Sequence, residues 1–130
     1  MIKFAYTILY VKDVAKAIEF YEKAFGFTRN FLAPDNTYGE LSTGNTTLSF
    51  ASVELANTNL KNGFIESDLQ NKPFAIEIGF TTEDVEKTIK AAVTAGATIV
   101  ENSKAKPWGQ IVAYVRDPDG FLIEICTPMD

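Results

Sequence analysis

The sequence contains no histidine and one cysteine, Cys126, among its 130 residues. The lack of histidine excludes a Ser-His-Asp or Cys-His mechanism and any histidine-ligated zinc or iron site. A single cysteine excludes an internal disulfide and a thiolate metal cage. Cys126 is therefore predicted to be a small residue of the core or of a cleft.

Long apolar runs and an excess of basic residues are also lacking. The longest apolar stretches have the length of single strands, so none can span a membrane. The chain starts directly in a strand pattern, without the features of a secretory leader, which predicts a cytoplasmic protein. The net charge is −5 and no basic stripe is present to meet phosphates. We therefore expect neither a membrane partner nor a nucleic-acid partner.

The first half of the chain has the pattern strand, helix, strand, strand, strand. Asp13 can cap a helix over residues 14–25, and Gly26 can end it. Strands are predicted over residues 2–11, 27–32, 38–42 and 46–52, with a short helix at 53–56. The polar stretch 57–72 is predicted to be a connecting loop.

The second half repeats this order. Asp84 can cap a helix over residues 85–95, and Gly96 can end it. Strands are predicted over residues 74–80, 98–100, 111–115 and 121–126, with a loop at 103–107 and a tight turn at 117–120. A shift of 71 residues places Asp13 on Asp84. The repeat predicts a single domain made of two βαβββ modules, 1–56 and 73–130, joined by the loop 57–72.

Polar side chains recur at equivalent places in the two modules. Glu124 lies between apolar neighbours on one face of its strand, where a charge is costly unless that face lines a cleft, a metal site or a partner. A solvent-facing glutamate on a one-sided strand is the other interpretation. The repeat pairs Tyr6 with Glu77 and Ser49 with Glu124. We therefore expect these four side chains on the concave face of a curved sheet.

Several segments resemble the vicinal oxygen chelate superfamily, which includes glyoxalase I, extradiol dioxygenases and bleomycin-resistance proteins. The segments that carry the resemblance are residues 6–13, 20–27 and 95–97 and, most specifically, the run DPDGFLIE at 117–124. The resemblance implies an α+β fold in which paired βαβββ modules form an incomplete barrel around a cleft, usually in a homodimer. In the catalytic members, it implies a divalent metal held by one residue from each of four equivalent strands.

Carried onto this sequence, the four metal-binding positions fall on Tyr6, Ser49, Glu77 and Glu124. Glyoxalase I usually has His, Glu, His or Gln, and Glu there, so only Glu124 matches. Zinc, nickel and iron require imidazole or thiolate ligands that this set lacks. We expect no metal cofactor, and the alternative is Mg²⁺ or Mn²⁺ held by Glu77 and Glu124.

Three functions are compatible with this set of residues. The first is a metal-free, bleomycin-resistance-like protein that binds a small cationic or aromatic molecule through Tyr6, Ser49, Glu77, Trp108 and Glu124. For Trp108, in the loop before the last hairpin, packing in the core or in a dimer is the other interpretation. The second is a glyoxalase-like lyase or isomerase, with Glu77 and Glu124 as an acid–base pair or as ligands of an oxygen-bound metal. The third is a scaffold whose cleft has no activity.

Overall fold

The computed structural model describes residues 1–129, in which eight strands and three helices are formed. Their order is β1 (Thr7–Val11), α1 (Val14–Phe25), β2 (Thr28–Leu32), β3 (Tyr38–Ser42), β4 (Thr47–Ser52), α2 (Val53–Asn59), β5 (Ile78–Thr81), α3 (Val85–Ala95), β6 (Thr98–Ala105), β7 (Ile111–Arg116) and β8 (Leu122–Cys126). The second predicted module ends at Asp130, which lies outside the described residues. The chain divides into two compact units, one formed by Met1–Glu22 and Gly26–Glu66, the other by Lys23–Phe25 and the chain from Ser67 onward.

The first unit contains a four-stranded sheet in the order β1-β4-β3-β2. β1 runs parallel to β4, and the other two pairs are antiparallel. Helix α1 begins where Asp13 accepts a hydrogen bond from the Lys16 amide and ends at Gly26 in the left-handed region. Its apolar side packs in the core, where the rings of Tyr21 and Phe50 lie 5.3 Å apart.

The second unit repeats this arrangement with a sheet in the order β5-β8-β7-β6. Asp84 caps α3 through the Lys87 amide, and Gly96 ends the helix. The helix buries Val85, Ile89 and Ala92. The predicted α+β fold of paired βαβββ modules is thus confirmed. Within residues 1–129, no helix has both the length and the apolar character needed to cross a bilayer.

Both edge strands that begin a module are shorter than predicted. Strand β1 begins at Thr7 rather than at residue 2, and β5 begins at Ile78 rather than at residue 74. Each of these two strands pairs with one neighbour. The first paired position is Thr7 opposite Leu48 in β1, and Ile78 opposite Ile123 in β5. Alternating side chains do not make a strand where no partner backbone runs alongside.

Two other elements are longer than predicted. β6 continues to Ala105, through most of the predicted loop at 103–107, because Lys104 and Ala105 pair with β7 across two register shifts. Helix α2 extends to Asn59, so the connecting loop begins later than residue 57. Polar composition predicted loops at both places. Pairing with β7 instead extends the strand, and helical hydrogen bonding extends the helix.

The turn between β7 and β8 is tightly bonded. The Gly120 amide donates to the Asp117 carbonyl over 2.9 Å, and Asp117 Oδ1 accepts from the amides of Asp119 and Phe121. The buried Arg116 donates through Nε to the Gly120 carbonyl and through Nη2 to the Asp68 carbonyl. The turn is thereby fixed both internally and to the connecting segment.

We predict that Gly120→Ala lowers the free energy of unfolding by about 2–4 kcal/mol. Gly120 has a φ of 94°, and an added Cβ would lie 2.9 Å from both Arg116 Nη2 and the Asp68 carbonyl carbon. Gly44→Ala is the matched control, because its φ is 111° but nothing lies within 4 Å of the new Cβ. Urea denaturation should show the larger loss for Gly120→Ala, and equal losses would contradict the role given to Arg116 and Asp68.

Candidate functional site

Glu124 lies in the middle of the second sheet. In the ladder it stands opposite Tyr114 of β7 on one side and Gly79 of β5 on the other. The Tyr114 hydroxyl donates to Glu124 Oε1 over 3.3 Å, and the Cys126 thiol lies 3.7 Å from Oε2. The Glu124 carboxylate therefore contacts one side chain of its own strand, β8, and one side chain of the neighbouring strand, β7.

Glu77 joins this group from the residue immediately before β5. The loss of surrounding water and, secondly, the negative charge of Glu124 raise the pKa of Glu77. Burial first, and then the charges of Glu77 and Glu124, raise the pKa of Tyr114. We call Glu77, Tyr114, Glu124 and Cys126 the second-unit cluster. The charge of Glu124 thus acts on Glu77 across the β5–β8 pair, and a shared role of the two carboxylates in a site stays a prediction.

Gly79 leaves space beside the Glu124 carboxylate. An added Cβ at Gly79 would meet Glu124 Oε2 at 3.5 Å, which is ordinary van der Waals contact. A glycine inside a strand often marks a place where another group can approach the sheet closely. The Glu124 carboxylate therefore lies against the exposed backbone of Gly79, with no side chain between them.

Ser49 and Tyr6 belong to the first unit. Ser49 is fully buried, and its hydroxyl is 3.1 Å from the Tyr38 hydroxyl. Tyr6 precedes β1, is 52% exposed, and lies near Tyr38. The structure thus groups Tyr6 with Ser49 and Glu77 with Glu124, and a common site for all four stays a prediction.

Trp108 lies between β6 and β7 and is 60% exposed. Its indole N–H donates to Gln110 Oε1 over 2.7 Å, and Gln110 in turn donates to the Thr127 carbonyl. The indole is therefore held at the end of the β7–β8 hairpin, beyond Cys126. Its part in ligand binding stays a prediction.

The sequence reasoning missed the polar roles of Tyr38 and Tyr114, and it left open which face of its strand Glu40 occupies. The signal that could have found them is the register of the two hairpins. Counting outward from the turn at 117–120 places Tyr114 opposite Glu124, and counting from Gly44 places Glu40 opposite Ser49. The turns were predicted, but the cross-strand partners were not read from them.

The donor groups do not fit a zinc, nickel or iron centre. Tyr6 and Ser49 offer hydroxyl groups where the resemblance implies imidazole and carboxylate, and the chain has no histidine. Within the part of the chain that the structure describes, no three His, Cys, Asp or Glu side chains are grouped so that they could hold a metal ion. The chemistry available to the second-unit cluster is that of carboxylates, a phenol and a thiol.

The fold, two βαβββ units that each present polar side chains on a sheet, defines the class of protein. The model of the Glyoxalase/Bleomycin resistance protein/Dioxygenase superfamily matches residues 3–125. The chain belongs to this superfamily, and the resemblance of its sequence motifs is thereby confirmed.

Solved structures of the same fold are similar over nearly the whole chain. A glyoxalase-related enzyme from Fulvimarina pelagi has a TM-score of 0.81 at 20% identity, covering 98% of this chain and 89% of that chain. The hypothetical protein SA1046 from S. aureus has a TM-score of 0.80 at 24% identity, covering 98% and 95%. At these identities the likeness shows the fold.

Relatives were also found by sequence. YraH of Bacillus subtilis (strain 168), an uncharacterized protein, is 32% identical over 123 residues, which are 90% of this chain and 91% of the relative. Lactoylglutathione lyase GLX1 of Arabidopsis thaliana is 30% identical over 129 residues, 95% of this chain but 43% of the relative. The chain therefore spans less than half the length of that enzyme.

We predict that Glu77→Gln raises the melting temperature at neutral pH. A carboxyl whose pKa is raised on folding contributes stability that is present below its ordinary value of 4.5 and is lost as the pH rises through the folded pKa. Glutamine removes this loss and the repulsion by Glu124. Because Glu77 is exposed, solvent screening keeps the gain small.

The measurement is thermal melting of the wild type and Glu77→Gln from acid to neutral pH. The two curves should coincide below pH 4.5 and separate above it. Glu66→Gln, which removes one charge from an exposed position in the connecting segment, is the control for net charge. If the wild type and Glu77→Gln melt alike throughout, the two carboxylates do not interact.

Proposed function

We propose that this protein binds a small organic cation with aromatic character at the second-unit cluster, without a metal ion. The observation that carries the proposal is the pair of interacting carboxylates, Glu77 and Glu124, on a sheet face that Gly79 leaves open. A cation placed between them would relieve their repulsion and gain charge-assisted hydrogen bonds. The function is that of a bleomycin-resistance-like binding protein.

The hydrogen bonds already made within the second-unit cluster favour a ligand with N–H donors. Glu124 Oε1 accepts from Tyr114, whereas Oε2 has the long contact with the Cys126 thiol. Oε2 is therefore available to a stronger donor, on the side where Gly79 leaves room. A flat amidinium or guanidinium group can bond to a carboxylate through two parallel N–H groups. Trp108, which belongs to the same unit, is proposed as a further contact.

The test is binding of benzamidine, a flat aromatic cation with N–H donors, measured by calorimetry. We expect binding by the wild type, and about tenfold weaker binding by Glu124→Gln and by Glu77→Gln. Benzyl alcohol is the uncharged control ligand, and Glu66→Gln is the control variant. Benzamidine binding that is absent, or equal in all variants, would overturn the proposal. Binding that EDTA abolishes would favour the Mg²⁺ or Mn²⁺ alternative.

A glyoxalase-like lyase or isomerase is the second candidate. The raised pKa of Glu77 beside Glu124 favours it, because a carboxyl that holds its proton closer to neutral pH can act as an acid or a base. Lactoylglutathione lyase activity that is lost in both Glu77→Gln and Glu124→Gln would favour this candidate over simple binding. A Mg²⁺ or Mn²⁺ ion held by the same two residues is its alternative cofactor.

We also propose that the protein is a homodimer. Large apolar residues that precede β1 and β5 are exposed, among them Ile2, Phe4 and Ile76. Such exposed apolar surface is typical of interaction sites. Sedimentation at micromolar concentration should show a dimer, and a monomer across that range would contradict the proposal.

A further inference from the structure

A solvent-open cavity of about 560 Å³ lies beside helix α3. It is lined by Lys90, Ala91, Thr94 and Ala95 of α3 and by Lys23 from the last turn of α1. All five residues belong to the second unit. The volume is within the range of pockets that hold small organic ligands. None of the lining residues belongs to the second-unit cluster, so the cavity is not part of the proposed function.

The walls of the cavity come from two helices. The lining residues of α3 recur at spacings of three and four, which places them on one helical face. This face is turned away from the buried residues of α3 and takes no part in the core. The last turn of α1 is fixed nearby, because the ring centroids of Phe25 and Phe80 of β5 lie 4.9 Å apart. That contact holds the segment that carries Lys23.

The side chains that line the cavity carry positive charge and no negative charge. Glu86 lies four residues before Lys90, a spacing at which a carboxylate and an ammonium group can pair on a helix. Glu86 instead accepts a hydrogen bond from the Ser103 hydroxyl of β6. The chain as a whole has a net charge of −5, so this basic cavity differs in sign from the rest of the molecule. The charge pattern therefore favours an anionic ligand.

Two ammonium groups and a hydroxyl group are suited to a phosphate group. Lysine binds phosphate as a point charge, and the Thr94 hydroxyl can donate a further hydrogen bond. The partial negative charge at the C-terminal end of α3 disfavours an anion directly beside Ala95. The phosphate group is therefore expected at Lys23 and Lys90, with the organic part of the ligand against the methyl groups of Ala91 and Ala95.

We propose that this cavity is a binding site for a small phosphate monoester. A phosphate monoester carries close to two negative charges near neutral pH, which match the two lysines. The second-unit cluster offers carboxylates and is proposed to take a cation. The two sites therefore take ligands of opposite charge, and occupancy of one does not depend on the other.

The test is titration with phenyl phosphate, followed by calorimetry. We expect binding by the wild type that weakens as the salt concentration rises, because salt screens exposed charges. Lys90→Gln and Lys23→Gln should each weaken binding about fivefold. Lys72→Gln, which removes one charge from an exposed position in the connecting segment, is the control variant and should bind like the wild type. Benzyl alcohol is the uncharged control ligand and should not bind.

Ala91→Leu tests the cavity independently of its charge. Ala91 is exposed and leucine is a good helix former, so the fold should be retained. The larger side chain fills space that the ligand would occupy and should weaken phenyl phosphate binding several-fold. Benzamidine binding should be unchanged in this variant, because Ala91 is not part of the second-unit cluster.

Absence of phenyl phosphate binding to the wild type would overturn the proposal. Equal weakening by Lys90→Gln and Lys72→Gln would also overturn it, because the response would then reflect net charge alone. Unchanged binding in Ala91→Leu would place the ligand outside the cavity and contradict the proposal as well. Loss of benzamidine binding alone would affect only the function proposed for the second-unit cluster.

Discussion

The pairing of β8 with both of its neighbours is the constraint on which the candidate site depends. The Asp117–Gly120 turn sets the register of β7 and β8, and Arg116 ties that turn to the connecting segment at Asp68. Because side chains alternate along a strand, a slip by one residue would move Glu124 to the opposite face. The register therefore places Glu124 beside Tyr114 and beside the open position at Gly79. The hydrogen bonds that stabilise the turn therefore also determine which residues lie beside Glu124.

The two units have the same strand order but distribute their polar groups differently. Glu124 lies on the fourth strand of its module and Glu40 on the third of its own, and each accepts a hydrogen bond from a tyrosine. Neighbouring strands lie about 4.8 Å apart, so a carboxylate can change strands and remain on the same part of the face. A search for metal ligands at fixed positions finds Ser49 in place of a carboxylate and overlooks Glu40 beside it.

Much of the fold could be predicted because its signals are local. Asp13 and Asp84 cap their helices as expected, and Gly26 and Gly96 end them. The predicted bounds are wrong for strands whose length depends on a neighbouring strand. Residues 2–6 and 74–77 alternate like strands but run past the ends of their partners, whereas the polar end of β6 is held in the sheet by β7. Hydrogen bonding to a neighbouring strand cannot be read from the composition of either strand alone.

The sequence by itself determined the class of fold, the repeat, the lack of imidazole groups and the presence of only one thiol, because composition, caps and turns act within a few residues. It also predicted that Glu77 and Glu124 occupy comparable positions. Only the tertiary structure decided that Tyr114 and Cys126 contact Glu124, and that Tyr38 links Ser49 to Glu40. These contacts join residues on different strands, or residues two positions apart on the same strand. Register and side-chain direction place them, and both arise only when the sheet has formed.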